Sequence, residues 1–139
     1  MSYFKRLVPI NAKLTLDYKP ENDDENQRFK GSVKIESDDT FKAKEIRLEV
    51  RVVQTYQKII DPRKNRTSTD YDPRHLQEFV IAGIVDAVKG YKQEFPFDIE
   101  IPFYRITLNE GSIWTSVKAI VNVEGRPDLT LEKTYTRYT

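Results

Sequence analysis

Apolar and polar residues alternate strictly at the start of the chain, with Ala12, Leu14, Leu16 and Tyr18 interleaved with Asn11, Lys13, Thr15 and Asp17. That period of two predicts a strand with one buried side. The polar run 19–27 holds Pro20 and the acidic cluster Glu21, Asp23, Asp24 and Glu25, and predicts an exposed turn. Alternation resumes at Phe29, Gly31, Val33 and Ile35 for a second strand, and residues 37–40 turn the chain again. The longest pattern runs from 42 to about 60, with Ile46, Leu48, Val50 and Val52 facing in and Glu45, Arg47, Glu49 and Arg51 facing out. Opposite charges side by side fit the wet face of a sheet.

Residues 61–74 have no apolar period and hold Pro62, Pro73, Asn65, Ser68 and three aspartates, which predicts a long mobile loop. Residues 75–88 fit helical spacing through Leu76, Phe79, Val80, Gly83, Ile84, Ala87 and Val88. Their β-branched residues and central Gly83, which costs a helix about 1 kcal/mol relative to alanine, favour two short strands instead. Three more strands are expected at 93–101, 113–123 and 129–135, with Pro96 at a strand beginning or edge because it cannot donate to a central ladder. About seven or eight strands with no internal repeat or linker predict one all-β domain over residues 1–139, an immunoglobulin-like antiparallel β-sandwich.

Composition agrees: valine and isoleucine total 23 against 13 for leucine and alanine, with 16 aromatic residues, an excess that suits half-buried pleated surfaces. A chain of 139 residues is long enough to bury a core without staples. It has no cysteine and one histidine, His75, which removes disulfides, thiolate chemistry and the usual histidine or cysteine metal sites. A net charge of +1 argues against a dedicated nucleic-acid binder. The first ten residues hold no apolar run of signal-peptide length, and no stretch approaches the ~20 apolar residues of a membrane span. The expectation is a soluble, cytoplasmic protein.

Several stretches resemble the arrestin-like superfamily, in particular its sporulation-control branch from bacteria and archaea. Phe4-Lys5-Arg6, the 13–18 strand and Lys19-Pro20-Glu21 look like the family's opening strand and Pro-containing turn. Residues 29–37, from Phe29 through Gly31, Val33 and Ile35 to Ser37, are similar to its second strand. The run 94–102, with Phe95-Pro96-Phe97 and Pro102, matches a recurring strand motif and is the most specific of the matches. Ile106-Thr107-Leu108, the 112–119 strand with Trp114, and Arg126-Pro127-Asp128 look like the last strand pair and its turn. The resemblance implies an arrestin-like sandwich and a non-enzymatic adaptor or scaffold. Full-length members carry two sandwiches and this chain has one, so functions of an inter-domain cleft are not implied. Glu21 also replaces the glycine expected after Pro20. By position, Lys5 and Arg6 match the basic residues with which arrestins engage phosphorylated receptor tails.

The chain shows no nucleophile elbow and no phosphate-cradling glycine loop with a lysine, so no catalytic, cofactor or metal site is expected. His75 near Asp70 and Asp72 is the one candidate for an oriented general base, and in a polar loop it reads better as a solvated histidine. The acidic cluster 21–25 lacks the spacing and glycine of an EF-hand loop and reads as a solvated turn. Asn65-Arg66-Thr67 spells a glycosylation sequon, to which no weight attaches without a signal peptide. Trp114 reads as core or cross-strand packing.

Two basic patches remain, Lys5, Arg6 and Lys13 at the start and Arg63, Lys64 and Arg66 in the 61–74 segment. Arginine's planar fork suits phosphate or carboxylate, so the expected partner is a protein, or an acidic or phosphorylated peptide added at a sheet edge. The alternative is a single-stranded nucleic-acid or anionic-lipid module that uses the basic loop with Tyr56 and Tyr71 as a stacking platform, which leaves peripheral membrane contact open. Finally, the terminal strand carrying Leu131 and Tyr135 has few charges and no proline, and is expected to form a homodimer contact or a docking surface.

Overall fold

The computed structural model describes residues 8–61, 63, 66–105 and 111–138, with the backbone alone for 57–61, 66, 67 and 138. Lys5, Arg6, Lys64 and the 106–108 stretch lie outside the described residues, as does the side chain of Arg66. The strands are β1 (Ala12–Asn22), β2 (Asn26–Ser37), β3 (Phe41–Asp61), β4 (Arg66–Ala82), β5 (Val85–Ala87), β6 (Tyr91–Pro102), β7 (Ser112–Val123) and β8 (Leu129–Tyr138). One sheet has the order β1-β2-β6, the other β4-β3-β7-β8 with β5 paired to the start of β3, and every pairing is antiparallel.

The expected alternation builds the core. Leu16, Phe29, Val33, Ile35 and Ile101 of the first sheet meet Ile46, Leu48, Val50, Ile113, Val117 and Val121 of the second, all essentially without exposure. Fully burying each such side chain contributes about 1.5–3 kcal/mol. On the outer face of the first sheet, register sets unlike charges side by side: Lys13 opposite Glu36, Lys30 opposite Asp98, Arg28 opposite Glu100. Arg28 also grips Asp98 with Nε and Nη2, and this guanidinium holds the Asp98 carboxyl below its ordinary range.

Two segments differ from expectation. The polar run 19–27 is mostly strand: β1 continues to Asn22 and β2 starts at Asn26, leaving a tight turn closed by Asp23. Asp23 Oδ1 accepts the backbone N–H groups of Glu25 at 2.8 Å and Asn26 at 2.6 Å, which lowers its pKa. Pro20 breaks no ladder because β1 is an edge strand.

The second correction is larger, since 61–74 is not a long loop. β4 begins at Arg66 and pairs with β3 as a hairpin. It is an edge strand, so its aspartates can face water and Pro73 lacks an N–H where none is needed. The register passes from Val52–His75 to Val53–Pro73, leaving Arg74 as the extra residue of a β-bulge. Beyond it, 75–88 is strand as expected, the end of β4 followed by β5. Pro96 lies within β6, an edge strand, opposite Ser32.

Gly31 is fixed by a close approach. A Cβ there would fall on the carbonyl oxygen of Asp17 and 2.6 Å from Tyr18 Cα, so β1 can lie this near β2 only over a glycine.

Candidate binding groove between the sheet edges

The sandwich is open along one side, where β1, the edge of the first sheet, runs beside β8, the edge of the second. Among the described residues each has a strand neighbour on its other side only, so both turn backbone hydrogen-bonding groups towards the gap. The gap is a groove of about 700 Å³ whose walls include Asp17, Tyr18 and Lys19 of β1, Lys30 and Gly31 of β2, and Lys133 and Tyr135 of β8.

Its floor is built by local sequence. Gly31 contributes no side chain, and beside it Tyr18 packs edge-on against Phe29, centroids 5.4 Å apart at 79°. Tyr135 projects inward from β8, where its hydroxyl takes a hydrogen bond from Nε2 of the buried Gln27. Burial pushes both phenols above their ordinary range, and for Tyr18 the neighbouring Tyr135 adds to the effect. Three lysines, Lys19, Lys30 and Lys133, line the rim against one carboxylate, Asp17. Lys133 Nζ reaches Asp17 Oδ1 at 3.4 Å, with both side chains well exposed, a contact of about 0–1 kcal/mol that an incoming anion can displace.

The structure redistributes the other candidates. Leu131 and Tyr135 lie on the edge strand β8, partly buried and packed against the core. Lys13 faces Glu36 across β1 and β2, and Arg63 sits exposed in the β3–β4 turn. Tyr56 stands opposite Asp70 and Tyr71 opposite Thr55, one residue apart in register, so the two rings take opposite faces of the sheet. They form no common stacking platform. His75 is not set against Asp70 or Asp72: Nδ1 lies 2.9 Å from the Tyr104 hydroxyl and Nε2 2.9 Å from Gln77 Oε1. Gln77 Oε1 can only accept, so Nε2 is the donor in that contact. Trp114 stands opposite Val53 and Thr136, a cross-strand neighbour as expected. Among the described residues no group of three His, Asp or Glu side chains is arranged to hold a metal ion, and no helix is long and apolar enough to cross a membrane. Sequence alone did not point to Lys19, Lys30 and Lys133, which come together only through pairing between distant strands.

Two antiparallel sheets packed face to face, with these connections and open edges, make this an arrestin-like β-sandwich. Among solved structures the chain is similar to Spo0M, the sporulation control protein of Bacillus subtilis, with a TM-score of 0.62 and 16% sequence identity over 91% of this chain. The match covers 49% of Spo0M, so the chain spans about half the length of that protein. No protein-family model matches the chain, and no curated protein matches it by sequence.

Proposed function

We propose that this chain is a non-enzymatic adaptor of the cytoplasm that takes an extended acidic or phosphorylated peptide into the β1–β8 groove. The observation that carries the reading is the pairing of two open strand edges with a rim of three lysines and one carboxylate. Open edges recognise backbone and give affinity without sequence preference, while the lysines select negative charge. The likeness in fold to a sporulation control protein supports a regulatory rather than a catalytic role.

A second copy is the competing occupant of the same edge, since two β8 strands can pair about a two-fold axis. The test is fluorescence anisotropy with a labelled glutamate-rich peptide and its phosphoserine counterpart at physiological salt. Binding is expected to weaken roughly tenfold or more in Lys19→Glu/Lys133→Glu, the loss of one or two charge-assisted contacts. Equal binding by wild type and variant, or binding only to oligonucleotides or anionic vesicles, overturns the proposal. Light scattering reads the competitor: a mass that doubles with concentration and falls when peptide is added assigns the edge to self-pairing in the absence of peptide.

A further inference from the structure

The outer face of the second sheet carries most of the exposed large apolar side chains among the described residues. Among the described residues the large apolar side chains left exposed are Val8, Tyr71, Leu76, Val80, Ile84 and Val88. All but Val8 lie along β4 and β5 or directly beside them. Pro73 and the Arg74 bulge blunt the backbone of this edge, and Tyr71, Leu76 and Val80 stay exposed on it among polar neighbours such as Asp70 and Glu78. Pairing through this edge is thereby disfavoured, and contact through the face remains.

At one end of the strip the exposed residues border a groove of about 550 Å³. Tyr71 (64% exposed) and Leu76 (61%) form one side, and Trp114 and Val53 lie across from them. Register places Leu76 beside Arg51, and Pro73 beside Val53 and then Trp114, so the apolar surface runs over three neighbouring strands. The lining residues are apolar, aromatic, histidine or arginine, and none is a carboxylate. The Arg51 side chain is half exposed and its contact to Glu49 is long, at 3.6 Å, which leaves its fork available to a better-placed carboxylate. The next row along the face, Glu78, Glu49, Lys118 and Glu132, holds three carboxylates against one lysine. A nucleic-acid backbone continuing down the sheet would be repelled there, whereas a short peptide ends before it.

We infer that this groove is a second docking site, for a peptide that places an aromatic or aliphatic anchor against Trp114 and Leu76 and a carboxylate on Arg51. It lies on the β4 side of the sheet, whereas the β1–β8 groove borders the opposite edge, so one domain can hold two segments at once. Trp114 is the protein's single tryptophan and lines this groove, so its emission reports on it. The probe is a synthetic peptide with a Phe-Leu pair flanked by Asp and Glu, titrated into the full chain. The expected result is a saturable blue shift, weakened at least tenfold in Arg51→Glu and in Leu76→Ser, two exposed positions whose replacement should leave the far-ultraviolet circular dichroism unchanged. The shift is expected to persist in Lys133→Glu, so failure here is distinguishable from failure of the β1–β8 reading. No saturable shift, equal shifts in wild type and both variants, or loss of the shift in Lys133→Glu overturns the inference. So does tighter binding by the lysine-flanked counterpart or by oligothymidylate, or a peptide-free dimer whose formation itself moves the emission.

Discussion

Arg126 of the β7–β8 hairpin turn and Asp39 of the turn that carries the chain from β2 to β3 in the other sheet meet at one end of the sandwich, with Nη1 donating to Oδ2 at 2.8 Å. The same guanidinium donates to the carbonyl oxygens of Val8 at 3.0 Å and Pro9 at 2.9 Å, so one side chain fixes the entry of the chain, the β2–β3 turn and the β7–β8 turn. Gly125, at φ 71°, supplies the left-handed turn that aims Arg126 inward. Replacing Arg126 by alanine removes all three contacts, and by the usual worth of charged hydrogen bonds should cost about 1–3 kcal/mol, read by urea denaturation.

The same pair sets an acid limit. The Arg126 hydrogen bond, followed by the Asn11 backbone N–H, holds the Asp39 carboxyl below its ordinary range. A carboxyl depressed on folding contributes stability that is present above the unfolded pKa and is lost as pH falls through the folded one. Asp98, held down by Arg28, acts with the same sign. Melting temperature should therefore drop below about pH 4, and Asp39→Asn should start lower at neutral pH and show a shallower drop. An unchanged acid limb in Asp39→Asn would show that this carboxyl does not contribute to it.

Gly31 offers a contrast with Gly83. Gly31→Ala forces a methyl onto the β1 backbone, whereas a Cβ at Gly83 meets nothing within 4 Å. Overpacking of this kind costs about 1–3 kcal/mol. Denaturation midpoints should fall in Gly31→Ala and stay near wild type in Gly83→Ala. Because Gly31 also floors the β1–β8 groove, peptide affinity should fall with it even where the variant remains folded.

The strands were legible in the sequence wherever one face is buried and the other wet, as in Leu14-Thr15-Leu16-Asp17 and Leu48-Glu49-Val50-Arg51, because alternation is the direct imprint of that geometry. The motifs around Gly31, Phe95-Pro96-Phe97 and Trp114 carried the arrestin-like resemblance, which the fold bears out. β4 escaped detection from 66 to 74 because an edge strand outside the core needs no apolar period, and Pro73 with Asp70 and Asp72 imitates a loop. The groove was hidden for another reason. Lys19, Lys30 and Lys133 are neighbours only once β1 pairs with β2 and β8 closes beside β1. Likewise the parity that separates Tyr56 from Tyr71 depends on cross-strand register, which no local pattern states.

Alkaline pH should act on the stability of the sandwich through its buried phenols. Tyr135 and Tyr18 have pKa values raised above the ordinary 10.0, mainly by burial, and Tyr91 is raised by the same cause. A group raised on folding keeps its contribution below the unfolded pKa and loses it as pH climbs through the folded value, because the unfolded chain releases its protons first. Stability should thus be level towards pH 9 and decline from about pH 10 upward. Tyr135→Phe tests the assignment at both ends of this range. At neutral pH it strips the buried Gln27 Nε2 of its hydroxyl partner and should cost about 1–3 kcal/mol. Above pH 10 its melting temperature should decline less steeply than that of the wild type, since one buried phenol no longer titrates. Parallel alkaline limbs in the two proteins would place the ionising groups elsewhere, and an unchanged neutral stability would mean that water replaces the tyrosine hydroxyl at Gln27.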